Sequence, residues 1–334
     1  MLQSFFDVTP TELGYLGPDL AVAVLRQMLW AESSNLGIPI SEVDVPFAIT
    51  TSDGGVDAVV NQAPTTVGNG LIFAPRTCYQ VKAGDFSVSA STLGKIEELL
   101  IVPAAISERI KKKSRVKPAI SGKHYKKENV SPRIRECLDA GGTFVVLLFG
   151  NDGIDTEESA TANAIQKFIS EVDSSYCGAK IKVWRQSRIC GLLRQFPAVS
   201  LQVKNLPGFQ LLSHSQWADR AEMRPEFVAA PEQQRSIDDL RAAIRSDSQG
   251  AIHVWVLGEP GIGKTRLVLE ALRTEDLSVL VLYADKATKI DGSVISAIRN
   301  ANHARIILVV DECGPELWGK LGDDGLRKAA YRGR

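Results

Sequence analysis

Two rhythms of hydrophobic and polar positions run along this chain. Residues 18–32 (PDLAVAVLRQMLWAE) place apolar side chains at helical spacing, and Pro18 sits in the first turn, where a missing N–H loses no partner. Residues 43–60 instead alternate short apolar runs around the turn 52–55 (SDGG), which predicts two strands joined tightly. Residues 71–73 and 78–83 predict further strand segments, and 91–102 a helix. The continuous apolar run 143–149 (TFVVLLF) suits a strand covered on both faces. Beyond it the pattern predicts helices at 159–171 and 187–196 and strands at 181–184 and 199–203.

Residues 205–232 lose the periodicity and carry Pro207, Pro225 and Pro231, so they read as a linker. An α/β pattern resumes after a helix at 233–246. It predicts a buried strand at 252–257 (IHVWVL), an amphipathic helix at 266–272, a strand at 278–283, a helix at 292–302 and a strand at 305–310 (RIILVV). The expected class is α/β, with a first domain over 1–205, a linker over 206–232 and a partial second domain over 233–334. No internal repeat is present.

At 44% hydrophobic and 23% charged residues the chain has the make-up of a folded protein, and a formal net charge of +0 gives no global pull on nucleic acid. Residues 107–127 depart from that balance, with Arg109, Lys111, Lys112, Lys113, Arg115, Lys117, Lys123, Lys126 and Lys127. A solvated lid and a phosphate-contacting segment both fit this run. The five cysteines (Cys78, Cys137, Cys177, Cys190, Cys313) are dispersed without a CxxC pair, which argues against zinc and fits reduced thiols in a cytosol. The N-terminus lacks a basic segment followed by an apolar stretch, and no apolar run approaches the roughly 18 residues of a membrane span. The expected location is cytoplasmic, with no membrane partner.

Chemistry enters at residues 258–265 (GEPGIGKT). Glycines at this spacing let backbone N–H groups close around phosphate oxygens, and the following helix adds the positive end of its dipole. Gly258, Gly261, Gly263, Lys264 and Thr265 are the candidate ATP-binding residues, Lys264 for the β- and γ-phosphates and Thr265 for Mg2+. The strand 305–310 runs straight into Asp311 and Glu312. Asp311 is a candidate Mg2+ residue through the cation's water shell, and Glu312 a candidate catalytic residue that polarises attacking water. The plainer readings are a glycine-rich turn that binds nothing and an acidic helix cap.

A second constellation lies upstream. Asp57 opens an apolar strand just after Gly54 and Gly55, and Gln80 and Lys82 share one face of a later strand. An amide and a lysine beside a carboxylate make a poor apolar core. They make sense around a divalent cation next to a phosphodiester. Asp57 and Gln80 then act as Mg2+ ligands, with the Val81 carbonyl as a further donor, and Lys82 orients or deprotonates water. All three are candidate catalytic residues; the plain alternative is a half-buried hairpin with a surface lysine.

The order helix, Gly-Gly-x-Asp strand, Gln-x-Lys strand resembles the restriction-endonuclease-like PD-(D/E)xK superfamily, in its Mrr-type branch, over roughly residues 10–205. Many relatives add an acid from the first helix; Asp19 and Glu32 are the candidates here, with Asp44 and Asp53 as further oxygen donors. GEPGIGKT followed by VVDE resembles the STAND/AAA+ group of P-loop NTPases. The resemblances imply a restriction-endonuclease-like mixed sheet flanked by helices, followed by a partial P-loop NTPase parallel sheet that stops at Arg334 soon after Glu312. They also imply a Mg2+-dependent DNA endonuclease governed by an ATP-binding switch, similar to bacterial antiviral STAND proteins. Such a protein has DNA as substrate, a homo-oligomer as its active form and a phage-derived trigger. The alternative is an ATP-binding protein or ATPase whose N-terminal domain is a non-catalytic DNA- or protein-binding module.

Overall fold

The computed structural model describes residues 6–46, 55–62, 70–84, 86, 88, 89, 91–111, 120–150, 152, 155–204, 211–246, 254–300 and 305–313. The chain divides into two compact units, Val8–Leu192 on one side and Met1–Asp7 with Leu193–Arg334 on the other.

In the first unit, α1 (Pro10–Gly14) is followed by α2 (Pro18–Leu36), which ends at Gly37 in the left-handed conformation that relieves a helix C-terminus. Then come β1 (Val43–Asp44), β2 (Ala58–Val60), β3 (Thr77–Lys82), α3 (Leu93–Leu100), α4 (Pro103–Lys111), α5 (Pro132–Asp139), β4 (Thr143–Leu148), α6 (Asp155–Val172), β5 (Lys180–Arg185) and α7 (Gln186–Leu193). The strands form one mixed sheet in the order β1-β2-β3-β4-β5, antiparallel from β1 to β3 and parallel from β3 to β5. Every residue of β4 is buried, as its unbroken apolar run predicts, and β3 beside it is buried as far as Val81. Cys78, Phe144, Val146 and Leu148 pack with Ile96 and Leu99 of α3 and with Ile165 and Phe168 of α6.

Two local expectations change. Residues 71–73 are not strand, because the Thr77 hydroxyl bonds both the N–H and the carbonyl of Phe73 at 2.8 Å and turns the chain. The apolar stretch 91–102 is helical only over α3, and a new helix starts at Pro103. Of the turn 52–55, only Gly55 lies among the described residues.

The second unit contains α8 (Pro197–Lys204), β6 (Leu212–Ser213), α9 (His214–Ala218), α10 (Pro231–Arg245), α11 (Lys264–Ala271), α12 (Glu275–Ser278), β7 (Val281–Ala284), α13 (Gly292–Asn300) and β8 (Ile307–Val310). Among the described residues its sheet is β6-β7-β8, with β7 and β8 parallel but β6 antiparallel, so it is mixed where a parallel sheet was expected. Both faces of β7 are covered: Val281 and Tyr283 pack with Leu269 and Trp217, Leu282 and Ala284 with Val294 and Leu201.

Three further expectations are corrected here. Residues 199–203 lie in α8, not in a strand; Ala198 and Leu201, one helical turn apart, bury against Leu282 and Ala284. That packing also puts 193–204 with the second unit. The expected linker 206–232 supplies β6 and α9, and Trp217 of α9 is fully buried. The expected strand 252–257 is not strand over 254–257, and Leu257 is 83% exposed. An apolar run becomes a strand only where a neighbour accepts its hydrogen bonds, and among the described residues none pairs with this one. No described helix is long and apolar enough to cross a membrane.

Candidate functional site

In the first unit, Gln80 and Lys82 lie on β3 and Asp57 is bonded to its backbone. The Asp57 N–H donates to the Tyr79 carbonyl at 2.8 Å, and the Asp57 carboxylate accepts from the Val81 N–H at 2.7 Å. Asp57 is therefore tied to β3 on both sides of Gln80. Gln80 is 6% exposed, and its Oε1 has no hydrogen-bond partner among the described residues. Native cores rarely keep such an atom unpaired. Lys82 ends β3 half-buried, opposite Leu148 of β4. Its ammonium lies 5.5 Å from the centre of the Phe86 ring, and Lys95 approaches the same ring at 5.1 Å. Just past these strand ends Gly150 meets Gly84 so closely that a Cβ on Gly150 would stand 1.7 Å from the Gly84 carbonyl oxygen.

Asp19 is exposed in the first turn of α2, and Asp44 pairs with Arg133 at 2.5 Å. Glu32 is buried in α2, and its charge acts on the Tyr79 phenol, whose side chain alternates with that of Gln80 along β3. Burial, chiefly, holds that phenol well above its ordinary range. Asp53 lies outside the described residues. Among the described residues no three His, Cys, Asp or Glu side chains gather to hold a metal; the donors at β3 are the Asp57 carboxylate and the Gln80 amide oxygen. Both are hard donors of the kind Mg2+ takes.

The basic run 107–127 is partly spent on structure. Glu97 of α3, 3% exposed, accepts from Arg109 at 2.9 Å and from the Tyr125 hydroxyl, while Arg109 also donates to Tyr125 at 2.8 Å. Burial first, and the Glu97 carboxylate next, push the Tyr125 phenol up to about 12. Lys127 pairs with Asp139 at 2.6 Å and lies over the Tyr176 ring. Residues 112–119, with the remaining density of lysines, lie outside the described residues. Glu97 escapes sequence reading because its partners sit 12 and 28 residues away with no periodic relation.

In the second unit, α11 opens at Lys264 directly after Gly263, and Gly261 and Gly263 have φ of 81° and 92°, conformations that favour glycine. The Lys264 ammonium donates to the carbonyls of Gly258 and Glu259 at 2.9 and 2.8 Å, across the loop. The Thr265 hydroxyl donates to Asp311 Oδ2 at 2.6 Å, which brings together the two residues predicted to serve Mg2+. Asp311 follows β8, and its own N–H donates to the Ala284 carbonyl at 2.8 Å. Glu312 is exposed, with φ of 48°, a left-handed conformation unusual for a side chain of its type.

Sequence reading missed Tyr283. Its hydroxyl donates to the same Asp311 Oδ2 at 3.3 Å, and its ring stacks on Trp217 at 4.1 Å and 6°. Burial, and then the Asp311 carboxylate, push its phenol up, so it stays a proton donor at neutral pH. The available signal was a tyrosine ending the apolar run 278–283, where β propensity alone accounts for it.

Comparisons with protein-family models, with curated proteins and with solved structures returned no match.

Proposed function

We propose that the first unit is a Mg2+-dependent endonuclease acting on DNA and that the second binds ATP and regulates it. The observation that carries the nuclease reading is the buried, unbonded Gln80 Oε1, flanked by the two hydrogen bonds that tie Asp57 to β3. An oxygen left this way costs about 1–3 kcal/mol, which a leucine of similar size would avoid. A hard cation gives that oxygen a partner next to a carboxylate. Mg2+ held there would supply Lewis-acid chemistry, polarising a phosphoryl oxygen and making water a stronger nucleophile. Asp57 and Gln80 would hold it, and Lys82 at the strand end would orient the attacking water or, as the free amine, take its proton. The Phe86 ring beside the ammonium narrows the directions Lys82 can take.

In the second unit Lys264 serves the β- and γ-phosphates, Thr265 and Asp311 serve the accompanying Mg2+, and Glu312 positions water. The resemblance to antiviral STAND proteins extends the reading by fold-level analogy. ATP binding then governs assembly, and DNA cleavage follows once a phage-derived trigger has driven oligomer formation.

One observation favours the second reading, a non-catalytic DNA- or protein-binding module beside an ATP site: among the described residues no three His, Cys, Asp or Glu side chains gather to hold a metal. Incubating the full chain, oligomerised by fusion to a self-assembling scaffold, with supercoiled plasmid, ATP and Mg2+ separates the two. The nuclease reading expects nicking that requires Mg2+ and disappears in Lys82→Ala. Plasmid binding without cleavage by the unaltered protein favours the binding module, and cleavage that survives Lys82→Ala removes Lys82 from the mechanism.

A further inference from the structure

We infer that Tyr283 is a positioning residue of the nucleotide site: its hydroxyl holds the Asp311 carboxylate in place for the Mg2+ that accompanies a bound nucleotide, and Trp217 reports on that contact. The inference rests on the ATP-binding reading of the second unit.

The carboxylate has two hydroxyl partners on one oxygen, Thr265 at 2.6 Å and Tyr283 at 3.3 Å. They differ in what else they must do. Thr265 is itself assigned to the cation, so its hydroxyl is a poor permanent anchor for Asp311 once the cation is present. Tyr283 has no such second duty. It is 2% exposed on β7, opposite Val309 of β8, the strand that Asp311 follows. Its ring is held by the fully buried Trp217, stacked at 4.1 Å, and by the Arg220 guanidinium 5.8 Å from its centre. Arg220 is fixed in turn by Asp285 at 2.9 Å, and Asp285 by Lys289 at 2.8 Å. A donor with so little rotational freedom sets the direction of the acceptor, as outer partners of metal ligands generally do.

The same packing explains the part given to Trp217. Helix α9 carries Trp217 and also His214, whose Nε2 bonds the Leu269 carbonyl of α11 at 3.1 Å. Helix α9 thus touches the helix that follows the P-loop and the tyrosine that holds Asp311. A shift of Asp311 that alters the Tyr283 hydroxyl changes the surroundings of the indole stacked on it.

The test uses the full chain and a fluorescent ATP analogue, titrated first in EDTA and then with Mg2+. Tyr283→Phe keeps the stacked ring and leaves Asp311 bonded to Thr265, so the fold is retained. The expected result is analogue affinity in EDTA within about twofold of the unaltered protein, with the Mg2+ midpoint raised on the order of 10-fold. Trp217→Phe is expected to remove most of the Mg2+-dependent change in tryptophan emission, and an undiminished change overturns its reporting role. A Tyr283→Phe midpoint within twofold of the original overturns the inference and leaves the nucleotide reading standing. An analogue affinity that Lys264→Ala does not change overturns the nucleotide reading, and the inference with it.

Discussion

The Val81 amide donates to the Asp57 carboxylate at 2.7 Å, across 24 residues of chain. That bond fixes the acid where β2 begins and leaves Gln80, the residue before Val81, between its two anchor points. Asp57→Asn keeps a side-chain oxygen for the Val81 amide but removes the negative charge. Outer partners of metal ligands already cost about 10–100-fold in affinity or activity, so loss of a charged ligand is expected to lower Mg2+-dependent plasmid cleavage by at least about 100-fold. Circular dichroism of the variant should match that of the unaltered protein. Wild-type cleavage rates in Asp57→Asn would remove the acid from the metal site.

Gln80 separates stability from function. Leucine at this position removes the unbonded Oε1 and fills a similar volume in a site that is 6% exposed. Gln80→Leu is therefore expected to stabilise the protein by about 1–3 kcal/mol, read as a higher denaturation midpoint, while abolishing cleavage. Gln80→Glu runs the other way. A second carboxylate should raise Mg2+ affinity and cost stability in the absence of the cation. A destabilised Gln80→Leu would mean that the oxygen has a partner after all.

Alkaline pH should act on the first unit through Tyr125. Burial and the Glu97 carboxylate raise its folded pKa to about 12, above its unfolded value near 10. A raised pKa means that the folded chain keeps the proton longer, so this contribution is complete below about pH 10 and is lost as pH climbs toward about 12. Urea midpoints measured between those values should fall more steeply for the unaltered protein than for Tyr125→Phe. Glu97→Ala tests the same cluster at neutral pH. It leaves the Arg109 guanidinium, with side-chain exposure of only 12%, without its carboxylate, at an expected cost of about 3–5 kcal/mol.

What could be read from the chain follows from how local each signal is. The glycine-rich turn before α11 was legible because Gly261 and Gly263 take positive φ, and that requirement is written in residue type. The run 143–149 was legible because a strand covered on both faces needs no alternation. Residues 199–203 misled for the same reason, since a short apolar run with valines reads equally as strand or buried helix. Packing of Ala198 and Leu201 on β7 decided for the helix. Trp217, Tyr283 and Glu97 were invisible because their partners are set by tertiary contacts. No spacing along the chain announces a ring that stacks on Tyr283 from a stretch read as linker. At β3 the residue types were legible. The tie of Asp57 to both flanks of Gln80 was not, because it depends on the antiparallel register of β2 and β3.

Glu312 offers the last test, because its backbone and its side chain make opposite demands. A φ of 48° is disfavoured for a residue with a Cβ by about 1–2 kcal/mol, and such strain persists where surrounding contacts enforce it. Here the Glu312 N–H donates to Asp311 Oδ1 at 3.1 Å, so the turn that strains Glu312 also satisfies the neighbouring acid. Asparagine tolerates this conformation better than glutamate, whereas glutamine does not. Glu312→Asn is therefore expected to stabilise the protein by a few tenths to about 1 kcal/mol, and Glu312→Gln to leave stability unchanged. Both remove the carboxylate, so both should slow single-turnover ATP hydrolysis by about 100-fold or more while leaving ATP affinity intact. Stability and hydrolysis are measured on the same three proteins. If Glu312→Gln hydrolyses ATP at the original rate, the carboxylate does not polarise water and the strained turn serves Asp311 alone.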